Sequence, residues 1–581
     1  MIEHYRAVWE EMIGAGGPFA MSEIVVRGVP MRVFDSAPPT MRSVWELAAL
    51  HGDKTYVVFE DERYSYAEIS AMSRALAHRL RDVHGVERGD RVAIAMRNYP
   101  EWVVAYWATV SLGAAVVGMN AWWTSPEMEY GLADSRPKVL IADDERLERV
   151  IPILPGLRET EPMTVITVRS DRQVPDDPGS ISERWADVVR AEGAPATLPA
   201  ADIDPDDDAC IFYTSGTTGF PKGAQLTHRG SVHNLMNLMF MGLVSSTAEA
   251  RARAAAAGDA STAPTAVPAQ PVFMAPTPLF HVTACNCLLH PATLLGGTIV
   301  LTYKWDPGRA LELIERERVT NFSGVPTMSR ELLSHPDWST RDTSSLLGMA
   351  GGGAAVQPDL VGKIEKSLEK GSPATGYGLT ETHGIVTANS AGFYLAKPES
   401  CGPVVPTLDA KLIDEAGDDL PSGPDAIGRL CVRGSIVIKG YLNQPEATAA
   451  AIRDGWFDTG DIARIDDDGF VFIVDRAKDM VLRGGENVYC SEVETAIHQH
   501  DDVAEAAVFG IPDERLGEEV AAVVVLKPGS ELDEDGLRQF LAERIAKHKI
   551  PARIWFRAEQ LPRNASGKFL KRELRAQLVG D

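Results

Sequence analysis

From Asp90 onward short apolar runs alternate with helical stretches, and that rhythm restricts the chain to few architectures. Arg91 to Met96 alternates like a strand, and Glu101 to Leu112 has apolar residues at helical spacing. Ala114 to Met119 is a second buried strand, and Val139 to Ala142 a third. Between them Ser125-Pro126 opens a helix, with a capping residue and a proline at the first helical position. Strands separated by helices lie parallel in one sheet and are covered by those helices, so the expected class is α/β. At 581 residues the chain exceeds what one hydrophobic core supports. The expected division is a large N-terminal domain, residues 1–475, with parallel-type sheets and a small β subdomain around 403–441. A small α+β domain, 476–581, follows.

The remaining segments fit around that plan. Residues 1 to about 50 are turn-rich and are expected to wrap a larger body. The stretch 171–208, rich in Pro, Asp and Ala, is expected to be a loop, and Val319 to Met328 to be strand-like. The alanine-rich segment 247–270 is expected to be a surface insertion, a helix followed by a floppy tail. In the last hundred residues Ser491 to Glu494 has the spacing of a capping box, and Asp535 to His548 is helical.

A formal charge of −25 argues against nucleic acid or an anionic membrane as the main partner. Met1 to Ala20 has no uninterrupted apolar core of the kind a signal peptide needs. The apolar run Leu288 to Leu301 is broken by His290, Pro291, Gly296 and Gly297, and is shorter than the ~20 residues that span a bilayer. Six cysteines in so long a chain suggest no disulfide framework, and Cys285 and Cys287 lack a second pair at zinc spacing. Buried thiols and a cytoplasmic protein are expected.

Four clusters carry chemistry. In Tyr213 to Ala224 the hydroxyls of Thr214, Ser215, Thr217 and Thr218 alternate with Gly216, Gly219 and Gly223, and Lys222 follows. Glycines let backbone amides turn towards an anion, hydroxyls add donors, and the lysine adds a point charge. A polyphosphate cradle at a strand end is favoured over a flexible linker. The lysine spacing excludes the common NTPase loop. The second cluster, Gly376-Tyr377-Gly378-Leu379-Thr380-Glu381-Thr382, offers a flat ring for a purine, a hydroxyl for a phosphate and a carboxylate for a hard cation. Alone it would equally suit a turn before a helix. The third, Gly455 to Asp461, places a carboxylate beside a glycine, as acceptors of ribose hydroxyls are placed, or caps a turn. Arg476 follows fifteen residues on. In the fourth, Pro562 to Lys568, a lysine after glycine sits on a loop able to enter a cleft.

In this order the four clusters resemble the acyl-adenylate-forming superfamily of acyl-CoA synthetases, adenylation domains and luciferases, from the region of Trp45 to near the C-terminus. Leu279-Phe280-His281-Val282 is further similar to the medium/long-chain fatty acyl-CoA synthetase branch. The resemblance implies that a carboxylate attacks the α-phosphate of Mg-ATP to give acyl-AMP and pyrophosphate, and that coenzyme A then displaces AMP. By that analogy Thr214 to Lys222 holds the β- and γ-phosphates, Thr380 contacts the α-phosphate, and Glu381 with Thr214 attends Mg2+. Gly353, Ala354, Gly376, Tyr377 and Gly378 line the adenine slot, and Asp461 and Arg476 meet the ribose. Lys568 bridges the carboxylate and the α-phosphate. His281 lies near the acyl carboxylate and the pantetheine tunnel, with a satisfied core histidine as its rival reading. Lys478 matches a hinge about which the small domain turns between steps, withdrawing Lys568 and bringing Gly484, Gly485 and Glu486 to the thiol.

Two positions depart from the family pattern: Asn564 where threonine is usual, and Cys490 where proline is frequent. The implied substrate is a small apolar carboxylic acid, foremost a fatty acid. An acyl-AMP ligase loading a separate carrier protein, and a CoA ligase for an aryl or steroid-derived acid, are the alternatives. The resemblance also admits a homodimer.

Overall fold

The computed structural model describes residues 2–175, 181–214, 220–257, 270–353, 356, 358–421, 423–484, 486–564 and 567–579. Its framework is a pair of large, mostly parallel sheets. In the first, Arg91–Ala95, Ala115–Gly118, Val139–Asp143, Thr164–Val168, Ser182–Arg184 and Asp208–Thr214 run parallel, and Lys222–Thr227 closes one edge antiparallel. In the second, Thr55–Phe59, Val272–Ala275, Thr298–Leu301, Asn321–Gly324, Gly348–Gly351 and Ser372–Tyr377 run parallel. Glu62–Ser65 and Thr387–Ser390 are its antiparallel edges.

The helix Pro100–Val110 shows what joins the sheets. All its residues except Glu101 are buried, which is the pattern of a helix enclosed on every side. It shares one core with Val92 and Val116 of the first sheet and Val57 and Ile299 of the second. Trp107 stacks on Trp45 with ring centroids 4.9 Å apart.

A six-stranded antiparallel sheet spans Gly402–Pro403 to Phe470–Arg476. These three sheets form what we call the large lobe. The small lobe is a five-stranded sheet that takes Val481–Arg483, Glu486–Val488, Val503–Asp513, Gly517–Leu526 and Arg553–Arg557, with the helices Cys490–His498, Glu534–Ala542 and Lys571–Val579. The α/β class with a large N-terminal part and a small C-terminal one is therefore observed.

The N-terminal segment wraps the large lobe as expected. The helix Ile2–Ile13 sets Tyr5 against Phe393 and Trp9 against Phe240, with centroids 4.8 and 4.7 Å apart. The hairpin Met21–Val26/Val29–Phe34 is fastened where Phe34 N donates to His233 Nε2 at 3.2 Å, while His233 Nδ1 bonds Arg229 O at 3.0 Å.

Several local expectations need correction. The cap of the helix Ser125–Ser135 is Thr124, whose hydroxyl and backbone N–H both reach Glu127, rather than Ser125. Ser491 and Glu494 form no capping box, because Ser491 lies inside the first turn and donates to Val474 O. Glu494 instead pairs with Lys571 at 2.6 Å and accepts from Val508 N at 2.8 Å. The helix predicted to His548 stops at Ala542. Val319 to Met328 holds the strand Asn321–Gly324 and then turns into a helix at Pro326, the residue best suited to a first helical position. The stretch 171–208 contains the strand Ser182–Arg184. The alanine-rich segment begins as a continuation of the long helix His228–Ala257 and is not all surface, since Ala248 is fully buried. Residues 258–269 lie outside the described residues. All six cysteines are free.

Candidate functional site

Parallel strands bring their C-terminal ends to one edge, where loops converge and α/β ligand sites form. Val272–Ala275, Asn321–Gly324, Gly348–Gly351 and Ser372–Tyr377 are mutually parallel in register. Their ends therefore deliver His281, Val325, Gly353 and Tyr377 to the same side. Gly353 has φ +79°, the left-handed region that glycine tolerates.

The glycine-hydroxyl loop leaves the end of Asp208–Thr214 and returns as Lys222–Thr227, with Thr214 opposite Lys222. Thr214 Oγ1 donates to Lys222 O at 3.5 Å. Ser215, Gly216, Thr217, Thr218 and Gly219 lie outside the described residues, as do Ala354 and Gly485. From the loop's base a line of side chains crosses the large lobe. Lys222 Nζ lies 5.0 Å from the centre of the Tyr441 ring, and Tyr441 donates to Glu381 Oε1 at 2.9 Å. Glu381 is in the short turn Thr380–Thr382 directly after the strand that ends at Tyr377, and Ile438 N donates to its carbonyl at 2.9 Å. Burial raises the Glu381 pKa, against the Tyr441 hydrogen bond and the charges of Lys568 and Lys222. A half-buried carboxylate, in a turn that packs against the strand Lys222–Thr227 paired with Thr214, is a hard oxygen donor of the type Mg2+ takes, so these residues fit the metal of a Mg-ATP substrate.

The second line starts at Tyr377, whose hydroxyl donates to Asp461 Oδ2 at 2.6 Å. Asp461 is almost fully buried and its other oxygen faces Arg476 at 3.6 Å, across the antiparallel pair Trp456–Ile465/Phe470–Arg476. Burial raises its pKa, opposed first by Arg476. Gly376 and Gly378 flank the ring; a side chain at Gly378 would strike the Gly384 carbonyl, 2.3 Å away.

Lys568 of the small lobe joins these two lines. Burial lowers its pKa to about 8, helped by Arg476 and Lys478 and opposed by the carboxylates of Asp461 and Glu381. The charge of Lys568 also acts on His281. His281 caps the helical turn Val282–Ala284, and its Nε2 is buried with no hydrogen-bond partner. Burial holds its pKa down at about 4, so the ring is neutral at physiological pH. The ring nitrogen has no hydrogen-bond partner among the described residues, as a group that takes a ligand would, and the charge of Lys568 bears on the ring.

Not every predicted residue joins this grouping. Lys478 is exposed in the turn 477–479 that links the lobes, and acts on Lys568 by charge. Gly484 and Glu486 sit in the hairpin Val481–Arg483/Glu486–Val488, which bonds to Leu516 O at 2.8 Å; Glu486 is exposed. Across the same link Asp475 accepts from Cys490 N, doing for the helix Cys490–His498 what the expected capping box does not. The Cys490 thiol donates to Asp479 O at 2.9 Å, and a proline here would lack the amide that Asp475 accepts. Tyr441, which connects Lys222 to Glu381, carries no motif signal in the sequence. A separate cleft of 470 Å³, lined by Tyr5, Trp9, Pro403 and Phe470 among others, lies between the N-terminal helix and the six-stranded sheet. Among the described residues no cluster of metal-ligating side chains is found, and no helix is long and apolar enough to cross a membrane.

Comparison with known proteins accords with this geometry. Residues 44–442 match the family described as AMP-binding enzyme, and 492–568 match the AMP-binding enzyme C-terminal domain. A feruloyl-CoA synthase from an Amycolatopsis species is 36% identical over 512 residues, covering 88% of this chain and 93% of its own. A long-chain-fatty-acid–CoA ligase of Bacillus subtilis is 33% identical over 554 residues, 92% of this chain and 94% of its own. The crystal structure of ATP-bound MatB from Rhodopseudomonas palustris superposes with a TM-score of 0.77 at 29% identity, covering 92% of this chain and 100% of that one.

Proposed function

This chain belongs to the AMP-binding enzyme family as an ATP-dependent acid–CoA ligase, and from that premise we propose that its acid is an apolar carboxylic acid, foremost a fatty acid, and that Lys568 activates it. The observation that carries the reading is the line from Lys222 through Tyr441 to Glu381 beside the Tyr377–Asp461–Arg476 group, with the residue before Lys568 seated against Val325 of the large lobe.

In the first step a carboxylate oxygen attacks the α-phosphorus of ATP and pyrophosphate leaves. Anion meets polyanion, so positive charge must be in place where negative charge builds at phosphorus. Lys568 supplies it, lying between the carboxylate and the α-phosphate. Lys222 and the amides of its loop hold the β- and γ-phosphates, and Thr380 contacts the α-phosphate. Asp461 and Arg476 hold the ribose, whose hydroxyls replace the Tyr377 and Arg476 contacts that Asp461 makes here. Glu381 and Thr214 hold the Mg2+ that ATP brings, which spreads the phosphate charge. Neutral His281 turns its free nitrogen to the acyl carboxylate. In the second step the sulfur of coenzyme A attacks the acyl carbonyl and AMP leaves. For that step the part from 476 onward turns about Lys478, withdrawing Lys568 and presenting Gly484 and Glu486.

A second reading, an aryl acid, is favoured by the 36% identity to a feruloyl-CoA synthase. Pyrophosphate release from ATP, measured over fatty, hydroxycinnamic, benzoic and steroid-derived acids with and without coenzyme A, tests both. Selective turnover of medium or long fatty acids supports the first reading. Turnover confined to aromatic acids replaces it with the second, and acyl-AMP formed but never passed to coenzyme A points to a carrier protein.

A further inference from the structure

The loop that carries Lys568 is splinted by a side-chain pair. Arg563 and Phe569 face each other across it, Asn564 N donates to Lys568 O and Lys568 N to Asn564 Oδ1, both at 2.9 Å. Asparagine thus supplies the acceptor that this turn needs at a position where the family pattern has threonine. Gly567 has φ +78° and lies so near Val325 of the large lobe that a Cβ there would come within 2.8 Å of a valine methyl. At Gly567 the backbone is therefore seated directly on the large lobe.

Arg563 is the node of this arrangement. Its Nη2 donates to Glu505 Oε1 at 2.8 Å, and its Nη1 donates to Gly567 O at 3.1 Å and to Thr327 Oγ1 at 3.3 Å. The guanidinium lies 4.2 Å from the centre of the Phe569 ring. Glu505 in turn accepts Leu561 N at 2.8 Å through Oε2, so its carboxylate grips the entry to the loop as well as Arg563. Glu505 is 8% exposed and sits where the register of the strand pair Val503–Asp513/Gly517–Leu526 slips. Such a bulge re-aims a side chain out of the regular alternation. A planar guanidinium can satisfy three acceptors in one plane; a lysine ammonium cannot do so in that geometry.

We propose that Arg563, locked by Glu505, is a positioning residue that presents Lys568 to the reacting carboxylate, and that its bond to Thr327 is the cross-lobe contact selecting the acyl-adenylate-forming pose. The inference rests on the role given to Lys568 above. It requires that Arg563 matter to the first half-reaction alone, since the loop leaves Val325 and Thr327 when the small lobe turns.

The experiment compares Arg563→Met, Arg563→Lys and Thr327→Val with the unaltered protein. Acid-dependent exchange of labelled pyrophosphate into ATP is measured beside thioester formation from supplied acyl-AMP. Misplacing a reacting group by about 1 Å costs ~100-fold, and Arg563→Met should lose about that much exchange. Thioester formation should stay within about twofold, well below the tenfold that 1.4 kcal/mol would produce. Arg563→Lys should restore the unfolding temperature but not the exchange rate, which a purely structural role does not predict. Thr327→Val should lose about 10-fold, the low end for a hydrogen bond whose donor is a charged guanidinium. A second readout needs no turnover: acetylation of Lys568 by acetic anhydride, followed across pH by peptide mass spectrometry. Its midpoint should move from about 8 in the unaltered protein towards the ordinary lysine value in Arg563→Met. Equal loss in both half-reactions, or an unmoved midpoint with unmoved exchange, overturns the proposal. Absence of exchange by the unaltered protein with every acid would instead sink the assigned reaction, while the acetylation arm still decides the splint.

Discussion

In the large lobe the groups at the site are set by strand ends and a buried frame, whereas in the small lobe Lys568 is set by side chains holding a loop. Thr214, His281, Gly353 and Tyr377 each follow a strand whose neighbours fix its register. Moving any of them means breaking a sheet. Lys568 depends on Arg563, Glu505, Asn564 and the contact of Gly567 with Val325. Those contacts are few, and under the proposed mechanism the one to Thr327 and the one to Val325 would end as the small lobe turns. The difference would suit the proposed two-step reaction, in which the frame stays and the charge serving one step leaves with the small lobe.

The sharpest break of this comparison is Lys568→Ala. Removing a charge aimed at developing negative charge costs on the order of 10³-fold, and acyl-AMP formation should fall by that much while thioester formation from supplied acyl-AMP is largely spared. Equal losses would mean that Lys568 belongs to the fixed frame after all. The frame itself is tested by acid. His228, His233 and His383 are buried with pKa values held at about 4, so the unfolded chain binds more protons than the folded one between about pH 4 and pH 6.5. Their contribution is complete above the unfolded value and is lost as pH falls through that window, at most ~3 kcal/mol each. Thermal unfolding should show the large lobe losing stability below pH 6.5; a flat profile down to pH 4.5 would contradict it.

Asp461→Ala comes next. A hydrogen bond to a charged group is worth roughly 1.5–3 kcal/mol, so KM for ATP should rise about 10- to 100-fold with KM for the acid unchanged. A rise in both would show that Asp461 organises the whole cleft. In the same range, kcat/KM for adenylation should decline as pH rises through about 8, where Lys568 loses its proton. The smallest expected effect belongs to the link. Lys478→Pro should slow thioester formation several-fold more than adenylation, and an unchanged ratio of the two would place the pivot elsewhere.

The alternation between Arg91 and Ala142 made the parallel sheets legible, because period and length together distinguish enclosed strands from amphipathic helices. The four clusters were legible because glycine, hydroxyl and charge stand close together in the chain. What stayed hidden depends on partners far apart. Tyr441 meets Glu381 across sixty positions, and Glu505 meets Arg563 across fifty-eight. No local pattern encodes either pair. The same holds for the helix Cys490–His498, where the spacing of Ser491 and Glu494 mimics a capping box although Asp475 accepts from its first amide. His383 is a structural clamp of the same kind: it accepts Thr227 N at 3.0 Å and bonds Ile436 O at 2.7 Å.

The enclosed helix Pro100–Val110 carries a consequence for how the polypeptide reaches this state. Trp102, Tyr106 and Trp107 lie between the first sheet and the second, and of the second sheet's strands all but Thr55–Phe59 and Glu62–Ser65 follow residue 271. A nascent chain released at 214 would hold the first sheet without its closing edge strand Lys222–Thr227, and an aromatic ridge bare on the side of the second sheet, so the emerging first half must be shielded until the rest arrives. The gene cannot be split there to give two independently soluble products; the workable cut is the turn 477–479, where the aromatic ridge is already enclosed.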